Sequence, residues 1–266
     1  MGEVSLLKRS IAELIGTYVL VFLGTGAVVT AVLLLQGVPL VQGNTFNVGI
    51  DISAWLAIGL AFGISVSAMI YAFGHISGTH INPAVSIAMC ATGRMSLKDM
   101  AAYITAQLIG AALASFTIVG IWGARAVDTG LGATAMFSGV SYEQAILCEA
   151  VATFFLVLVI MGTAVDKRAP QGWAGLIIGL TVAVDIVAIG NITGSSLNPA
   201  RTFGPYLADF ALGGANLWWQ FPIYLIGPIA GALAAALLYD YVSDAKAART
   251  EAKAAPVASA GTSKKA

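Results

Sequence analysis

The sequence predicts an all-α membrane protein with six transmembrane helices and two re-entrant half-helices, arranged as an inverted repeat. Of its 266 residues, 58% are hydrophobic and 10% are charged, which is a larger apolar share than soluble domains have. The apolar stretches are about 20 residues long, enough to cross a hydrocarbon core roughly 30 Å thick. A glycine-rich polar run that ends in Asn-Pro-Ala also occurs twice.

Hydropathy places the six spans at residues 8–35, 52–73, 98–123, 142–164, 173–190 and 217–241. Helices are expected because the alternation typical of barrel strands is absent. Most basic residues fall on one side of the membrane, with Arg125 and Arg201 as exceptions. The positive-inside rule then predicts that both termini are cytoplasmic. We expect a multi-pass protein of the plasma membrane, embedded in the lipid bilayer.

Two regions of different composition follow along the chain. Residues 1–242 are expected to form one transmembrane domain, with repeats at about 6–123 and 142–242. Residues 243–266 are Ala-rich and charged and lack large apolar side chains, so we expect a disordered cytoplasmic tail. Cys90 and Cys148 lie in apolar stretches and provide neither a disulfide framework nor metal-ligand spacing. We expect no metal, no cofactor and no nucleic-acid partner.

The repeat becomes visible when the chain is shifted against itself. LAFGISVSAMIYAFGHISGTHINPA aligns with LIIGLTVAVDIVAIGNITGSSLNPA, so that Gly63 meets Gly179. Other shifts align the flanking spans and superpose Glu13 on Glu149 and Tyr103 on Tyr224. Each half contains an odd number of spans, so the second copy must enter the membrane from the opposite face. The architecture predicted is an inverted repeat, whose special chemistry lies where interrupted helices meet.

Each Asn-Pro-Ala motif predicts the start of a short helix, since Asn is a preferred N-cap and Pro is preferred at the first helical position. About ten residues at 1.5 Å each span only half a bilayer. Two such half-helices entering from opposite faces bring their positive ends together near the midplane. The asparagine NH2 groups are then expected to be free to donate to a neutral, electron-rich oxygen. One motif alone is a common helix start; two at matching positions favour a functional interpretation. The motif residues are Asn82, Pro83, Ala84, Asn198, Pro199 and Ala200.

SGTHINPAV, GSSLNPARTFGP, the paired AE and CE openings and the IGP of the last span resemble the aquaporin and aquaglyceroporin family, also called major intrinsic proteins, from about Leu6 to Tyr241. The run DKRAPQGWAGLIIGLTVA, with Ser195 and Ile186, most resembles the archaeal aquaporins. The resemblance implies an aquaporin-like right-handed bundle, a pore in each subunit and a homotetramer. It implies a passive channel for water, and for glycerol and other small neutral solutes, which excludes protons and ions and is not an enzyme.

The resemblance also implies a constriction of four residues near the outer mouth, here Phe62, Ile186, Ser195 and Arg201. Water-selective members usually carry His at the Ile186 position, and glycerol facilitators carry Gly there and a second aromatic at the Ser195 position. This chain matches neither pattern. A ring without His should be less polar and wider, because Ile forms no hydrogen bond and Ser is small. The choice between water and glycerol therefore stays open.

The proposed pore has one polar wall and several apolar walls. The polar wall is expected to consist of backbone carbonyls from Gly78, Thr79, His80, Gly194, Ser195 and Ser196. Glu13 and Glu149 are interpreted as buried carboxylates that hold the two loops. Arg201 could be structural, but a charge in so apolar a region costs on the order of 2.5 kcal/mol or more unless it faces water or a partner, which favours a pore role. His80 is either a hydrogen-bonded loop residue or a pore-lining group, and Asp185 has no assigned role.

Two other functional classes share some of these sequence features. An alternating-access transporter also uses inverted repeats and broken helices, but the spans here lack a set of acidic residues that could bind a coupling ion. An intramembrane enzyme needs a nucleophile with a base, or a metal cluster, and the two histidines of this chain have no such partners. A saturable, gradient-coupled uptake would favour the transporter, and a linear flux would favour the pore.

Overall fold

The computed structural model describes residues 4–35 and 51–244. Apart from Ser243 and Asp244, the tail predicted at 243–266 lies outside these residues. The described part is helical, and its α-helices are α1 (Leu6–Leu35), α2 (Ile52–Ser77), α3 (Pro83–Ala91), α4 (Leu97–Trp122), α5 (Ala124–Asp128), α6 (Tyr142–Ile160), α7 (Ala174–Thr193), α8 (Pro199–Ala211) and α9 (Phe221–Val242). Six helices of the described chain are long and apolar enough to cross a membrane, which confirms the predicted all-α class.

The boundaries differ from the predicted spans at several places, among them α7, which continues to Thr193 instead of ending at 190, and α9, which begins at Phe221 instead of 217. Helix α2 continues to Ser77 instead of ending at 73, because the left-handed Gly78, rather than Gly74, ends it. Helix α6 ends in a single π turn, Met161–Val165. The connection between α4 and α6 contains the short helix α5 and a 3₁₀ turn at Gly130–Gly132, neither of which was predicted.

The two half-helices, α3 and α8, begin as the motif predicts. Asn82 caps α3 by accepting a hydrogen bond from the Ala84 amide, and Asn198 caps α8 by accepting from the amides of Ala200 and Arg201. Both caps have extended backbone, and a proline follows each at the first helical position. The side-chain oxygen satisfies amides that have no carbonyl partner within the helix.

The halves meet where α2 crosses α7. A Cβ atom added to Gly63 would lie 2.3 Å from the Gly179 carbonyl oxygen, and one added to Gly179 would lie 2.3 Å from that of Gly63. The contact is therefore reciprocal, and only residues without a side chain allow the backbones to approach so closely. The two glycines that the repeat aligns therefore lie at the point where the two halves cross.

Polar contacts bring several helix ends together at one end of the bundle, which we call the termini face. Arg9, near the start of α1, pairs with Asp99 at the start of α4. Arg94, before α4, pairs with Asp240 near the end of α9. Both ends of the described chain lie at this face, as an even number of crossings requires.

Candidate pore

A cavity of about 200 Å³ runs through the middle of the bundle, between the long helices and the two re-entrant loops. The helices contribute an aliphatic wall, and the loops contribute the facing polar wall together with Asn82 and Asn198. The wall is made by residues on one face of α1, α2, α6 and α7: Leu20, Val66, Ile70, Leu156, Ile178 and Val182. The lining therefore combines aliphatic side chains from the helices with residues of both re-entrant loops.

Both re-entrant loops depart from helical backbone in the same way. In the first loop, Gly78, Thr79 and Ile81 have φ values of 86°, 49° and 44°. In the second loop, the equivalent residues Gly194, Ser195 and Leu197 have φ values of 79°, 47° and 54°. Non-glycine residues avoid this left-handed region unless the surroundings hold them there. The loops must therefore be held by the protein around them.

Two fully buried carboxylates supply that support. Glu13 Oε1 accepts hydrogen bonds from Ser77 Oγ at 2.7 Å and from the His80 amide at 2.9 Å. Its Oε2 accepts from the Ile81 amide at 2.6 Å and from Gln107 Nε2 at 2.9 Å. The bonds from the His80 and Ile81 amides satisfy backbone donors that the left-handed loop leaves without a carbonyl partner.

Glu149 holds the second loop with the same geometry. It accepts from Thr193 Oγ1 at 2.7 Å, from the Ser196 amide at 2.9 Å and from the Leu197 amide at 2.8 Å. A tyrosine supports each loop from behind: Tyr103 Oη donates to the Ser77 carbonyl and Tyr224 Oη to that of Thr193, both at 2.8 Å. These residues are equivalent in the repeat.

The two asparagines join the loops to each other. Asn82 Nδ2 donates to the Leu197 carbonyl, and Asn198 Nδ2 donates to the Ile81 carbonyl, both at 2.8 Å. The sequence predicted NH2 groups that are free to donate to a ligand, and this needs a correction. One N–H of each amide is used to bridge the halves, and only the other remains for the cavity, since an amide NH2 has two donors.

Three of the four constriction residues line the cavity together: Phe62, Ile186 and Arg201. The guanidinium carbon of Arg201 lies 4.8 Å from the centroid of the Phe62 ring, within range of a cation–π contact. Arg201 Nη1 donates to the Gly132 carbonyl at 2.8 Å. The Arg201 side chain is 3% exposed, and its Nε has no hydrogen-bond partner among the described residues. A buried donor without a partner is available to a ligand.

Not every predicted residue lies on the cavity. Gly78, Thr79, His80 and Ser196 line it, whereas Gly194 and Ser195 do not. Ser195 is buried, and its Oγ has no hydrogen-bond partner within the described chain. Asp185 is also absent from the lining, although it is 7% exposed and its Oδ2 has no partner among the described side chains and backbone groups.

Sequence reasoning missed most of the aliphatic wall and part of the support for the first loop. Val66 and Val182 occupy equivalent positions of the two aligned segments, so the repeat itself contained the signal. Gln107 donates to Ser86 Oγ at 3.1 Å in addition to Glu13. No repeat signal identifies Gln107, because the segment aligned through Tyr103 and Tyr224 has Pro228 at the equivalent position.

A second, wider cavity of about 660 Å³ opens at the termini face. Charged residues from α1, from the start of α4 and from the connecting loops line this cavity: Arg9, Arg94, Asp99, Asp166, Lys167 and Arg168. Hydrogen bonds from Arg168, and then from Tyr239, hold the pKa of the Asp166 carboxyl well below its ordinary value. Asp166 therefore stays ionised at neutral pH.

Known proteins resemble this chain over most of its length. Residues 1–239 match the family described as "Major intrinsic protein". Aquaporin AqpM of Methanothermobacter thermautotrophicus is 55% identical over 245 residues, which are 90% of this chain and 99% of that protein. Probable aquaporin AqpM of Archaeoglobus fulgidus is 56% identical over 244 residues, 90% of this chain and 98% of that protein.

A more distant relative and a solved structure resemble the chain as well. Glycerol uptake facilitator protein-like 6 of Lactiplantibacillus plantarum is 38% identical over 232 residues, 86% of this chain and 95% of that protein. The X-ray structure of the aquaglyceroporin from Plasmodium falciparum superposes with a TM-score of 0.73 at 26% identity. That match covers 92% of this chain and all of the other.

Proposed function

We propose, from the premise that this chain belongs to the major intrinsic protein family, that the cavity between its repeats is the conduction path of a passive channel for water and small neutral solutes. The chain is a membrane channel and not an enzyme. The observation that supports this path best is the pair of reciprocal asparagine hydrogen bonds, since they place two half-helix N-termini against each other beside the cavity.

The mechanism follows from what each wall offers to a water molecule. The remaining N–H of Asn82 and that of Asn198 donate to a water oxygen, which turns its hydrogens toward the two mouths. Loop carbonyls of Gly78, Thr79 and His80 accept from waters on one side, and we propose the same for Gly194, Ser195 and Ser196. The aliphatic wall gives no alternative bonds, so the waters form a single file. The central water then accepts only from the two asparagines and donates both of its hydrogens outward, so it accepts no hydrogen bond from a neighbouring water, and proton transfer along the file is interrupted.

Positive charge at the half-helix ends and on Arg201 excludes cations from the path. Each half-helix presents a positive end at its first turn, roughly half an elementary charge. Arg201 adds a full positive charge between Phe62 and the Gly132 carbonyl. Cations are repelled by these charges, and any ion that enters loses hydration that the aliphatic wall does not replace. Neutral molecules that form hydrogen bonds are the solutes that fit.

We propose that the constriction of Phe62, Ile186, Ser195 and Arg201 passes water readily and glycerol more slowly. Ile186 supports glycerol passage because it keeps its part of the ring apolar. A histidine at the same position would make the ring narrower and more polar. The relative named as a glycerol uptake facilitator is consistent with this proposal. Transporter behaviour is disfavoured by the cavity, which has no carboxylate among its lining residues to bind a coupling ion.

The proposal includes a homotetramer in the plasma membrane with cytoplasmic termini. The basic residues at the termini face support this orientation, and the family resemblance supports the tetramer. Cross-linking in membranes tests the assembly, and protease access to the tail in sealed cells tests the orientation.

Stopped-flow light scattering of proteoliposomes tests the function. We expect water permeability above that of empty vesicles with a low activation energy, a smaller linear glycerol flux and no proton leak. A saturable flux, or vesicles that acidify as fast as they swell, contradicts the proposal.

A further inference from the structure

The pore cavity and the cavity at the termini face share three lining residues. These are His80, Met89 and Val165, and we call them the neck. Met89 is 4% exposed. His80 Nδ1 lies 3.1 Å from Ser86 Oγ, so a hydrogen bond fixes the orientation of the imidazole. The neck is at the opposite end of the path from Arg201 and has two apolar members.

Val165 reaches the neck through the π turn that ends α6. The Asp166 amide donates to the Met161 carbonyl at 3.0 Å, which closes the turn. The equivalent segment of the first repeat, 25–29, is ordinary α-helix within α1. Isolated π turns inside or after α-helices are frequently found at functional sites. This one breaks the symmetry of the repeat where the path meets the wider cavity.

The residue after Val165 is tied to the end of α9. The Asp166 carboxylate accepts a hydrogen bond from Tyr239 Oη at 2.9 Å and from Arg168 Nε at 2.9 Å. Arg168 Nη2 also donates to the Ser243 carbonyl at 3.1 Å. We call these contacts the latch. The latch fixes the backbone next to Val165 against a helix that does not contribute to the neck.

We propose that the neck is a second solute-discriminating constriction, in series with the one at Arg201, with Val165 as its specificity-determining residue and Asp166 as the residue that positions it. The inference rests on the proposed channel function. Two constrictions in series both add resistance to the flux of a solute. As a constriction narrows, its resistance to glycerol rises faster than its resistance to water, because glycerol is the larger molecule. The size of the side chain at position 165 therefore sets the glycerol-to-water permeability ratio.

Two substitutions of opposite size test this inference in proteoliposomes. Val165→Ala should raise the glycerol-to-water ratio about twofold or more, and Val165→Leu should lower it by a similar factor. The ratio cancels differences in the number of channels per vesicle. Val184→Ala makes the same change at a side chain that is exposed on the outer surface of α7, and its ratio should equal that of the unchanged protein.

A double-variant comparison separates positioning from general loss of structure. In the wild-type background, Asp166→Asn should raise the glycerol-to-water permeability ratio. In the Val165→Ala background, the same substitution should have no effect on that ratio. Asp128→Asn, an exposed residue outside both cavities, is the matched control. An Asp166→Asn effect of equal size in both backgrounds, or no effect in either, overturns its positioning role.

The outcomes also distinguish this inference from the function on which it depends. If the unchanged protein conducts no more water than empty vesicles do, the channel function fails. If it conducts while Val165→Ala and Val165→Leu leave the ratio unchanged, the neck inference fails alone. If the Val165→Ala variant does not reconstitute into vesicles, Val165→Leu decides the question by itself, because it is expected to lower the glycerol-to-water ratio rather than raise it.

Discussion

The two halves of this protein build their loops with the same parts but line the two ends of the path with different ones. Glu13 and Glu149 accept the same kinds of hydrogen bonds, and the left-handed residues fall at equivalent positions. At the constriction, however, Arg201 replaces the Val85 of the first half, and Phe62 faces it where the second half has Ile178. On the function proposed above, the shared residues hold the loops open, and the unmatched residues are the ones proposed to select the solute.

The largest expected effect comes from giving the second half the residue that the first half has at the position of Arg201. Arg201→Val places the first-half residue in the second half and removes the full positive charge from the path. We expect proton and cation leak to rise by on the order of tenfold or more, since a charge in a low-dielectric channel is a strong barrier. A pH-sensitive dye trapped in proteoliposomes measures the leak. An unchanged leak would show that the half-helix ends alone exclude ions.

Glu13 and Glu149, the two loop carboxylates, allow a second comparison of the halves, because the residues around them differ. Glu149→Gln puts an NH2 group against loop donors and should lower the free energy of unfolding by about 2 to 4 kcal/mol. Glu13→Gln should cost less, because the neighbouring Gln107 can turn its amide and present Oε1, which has no partner among the described residues. Thermal unfolding in detergent measures both variants. A larger loss for Glu13→Gln contradicts this reasoning, and Gln107→Ala should remove the difference.

Ile186 and Ile70 are equivalent residues that line opposite parts of the path. Ile186→His should lower glycerol permeability about fivefold and spare water, since it adds a donor and narrows the ring beside Arg201. Ile70→His makes the same change where no arginine faces it and should lower glycerol less. Stopped-flow measurement of both solutes checks this. Equal loss of water and glycerol in Ile186→His would contradict the assigned constriction.

The smallest expected effect concerns a difference between the halves that lies outside the cavity lining. Asp185 is buried with one oxygen that lacks a partner among the described residues, and the equivalent residue of the first half is Met69. Asp185→Met should raise stability by about 1 kcal/mol, because burying a polar atom without a hydrogen bond is costly. Unfolding temperature is the measurement. Reduced water permeability would instead place Asp185 in the conduction path.

Much of this architecture was predictable because the relevant signals are local or repeated. Span length gives the crossing helices, and the Asn and Pro of each motif give the half-helix starts. The π turn was not predictable, because nothing in the residues 161–165 distinguishes them from the helical 25–29. The use of one asparagine N–H across the interface was also missed. It depends on how closely the two halves approach, which is set by the glycine crossing of α2 and α7 and by the loops together.

The reciprocal bonds of Asn82 and Asn198 have a consequence for how the protein is made. Each asparagine completes its hydrogen bonding on a carbonyl that belongs to the other half. While the ribosome is still producing the second half, the first loop has no counterpart to close against, and no continuous lumen exists. The cavity needs lining residues from both halves, so it can be complete only after the second half has been synthesised and inserted.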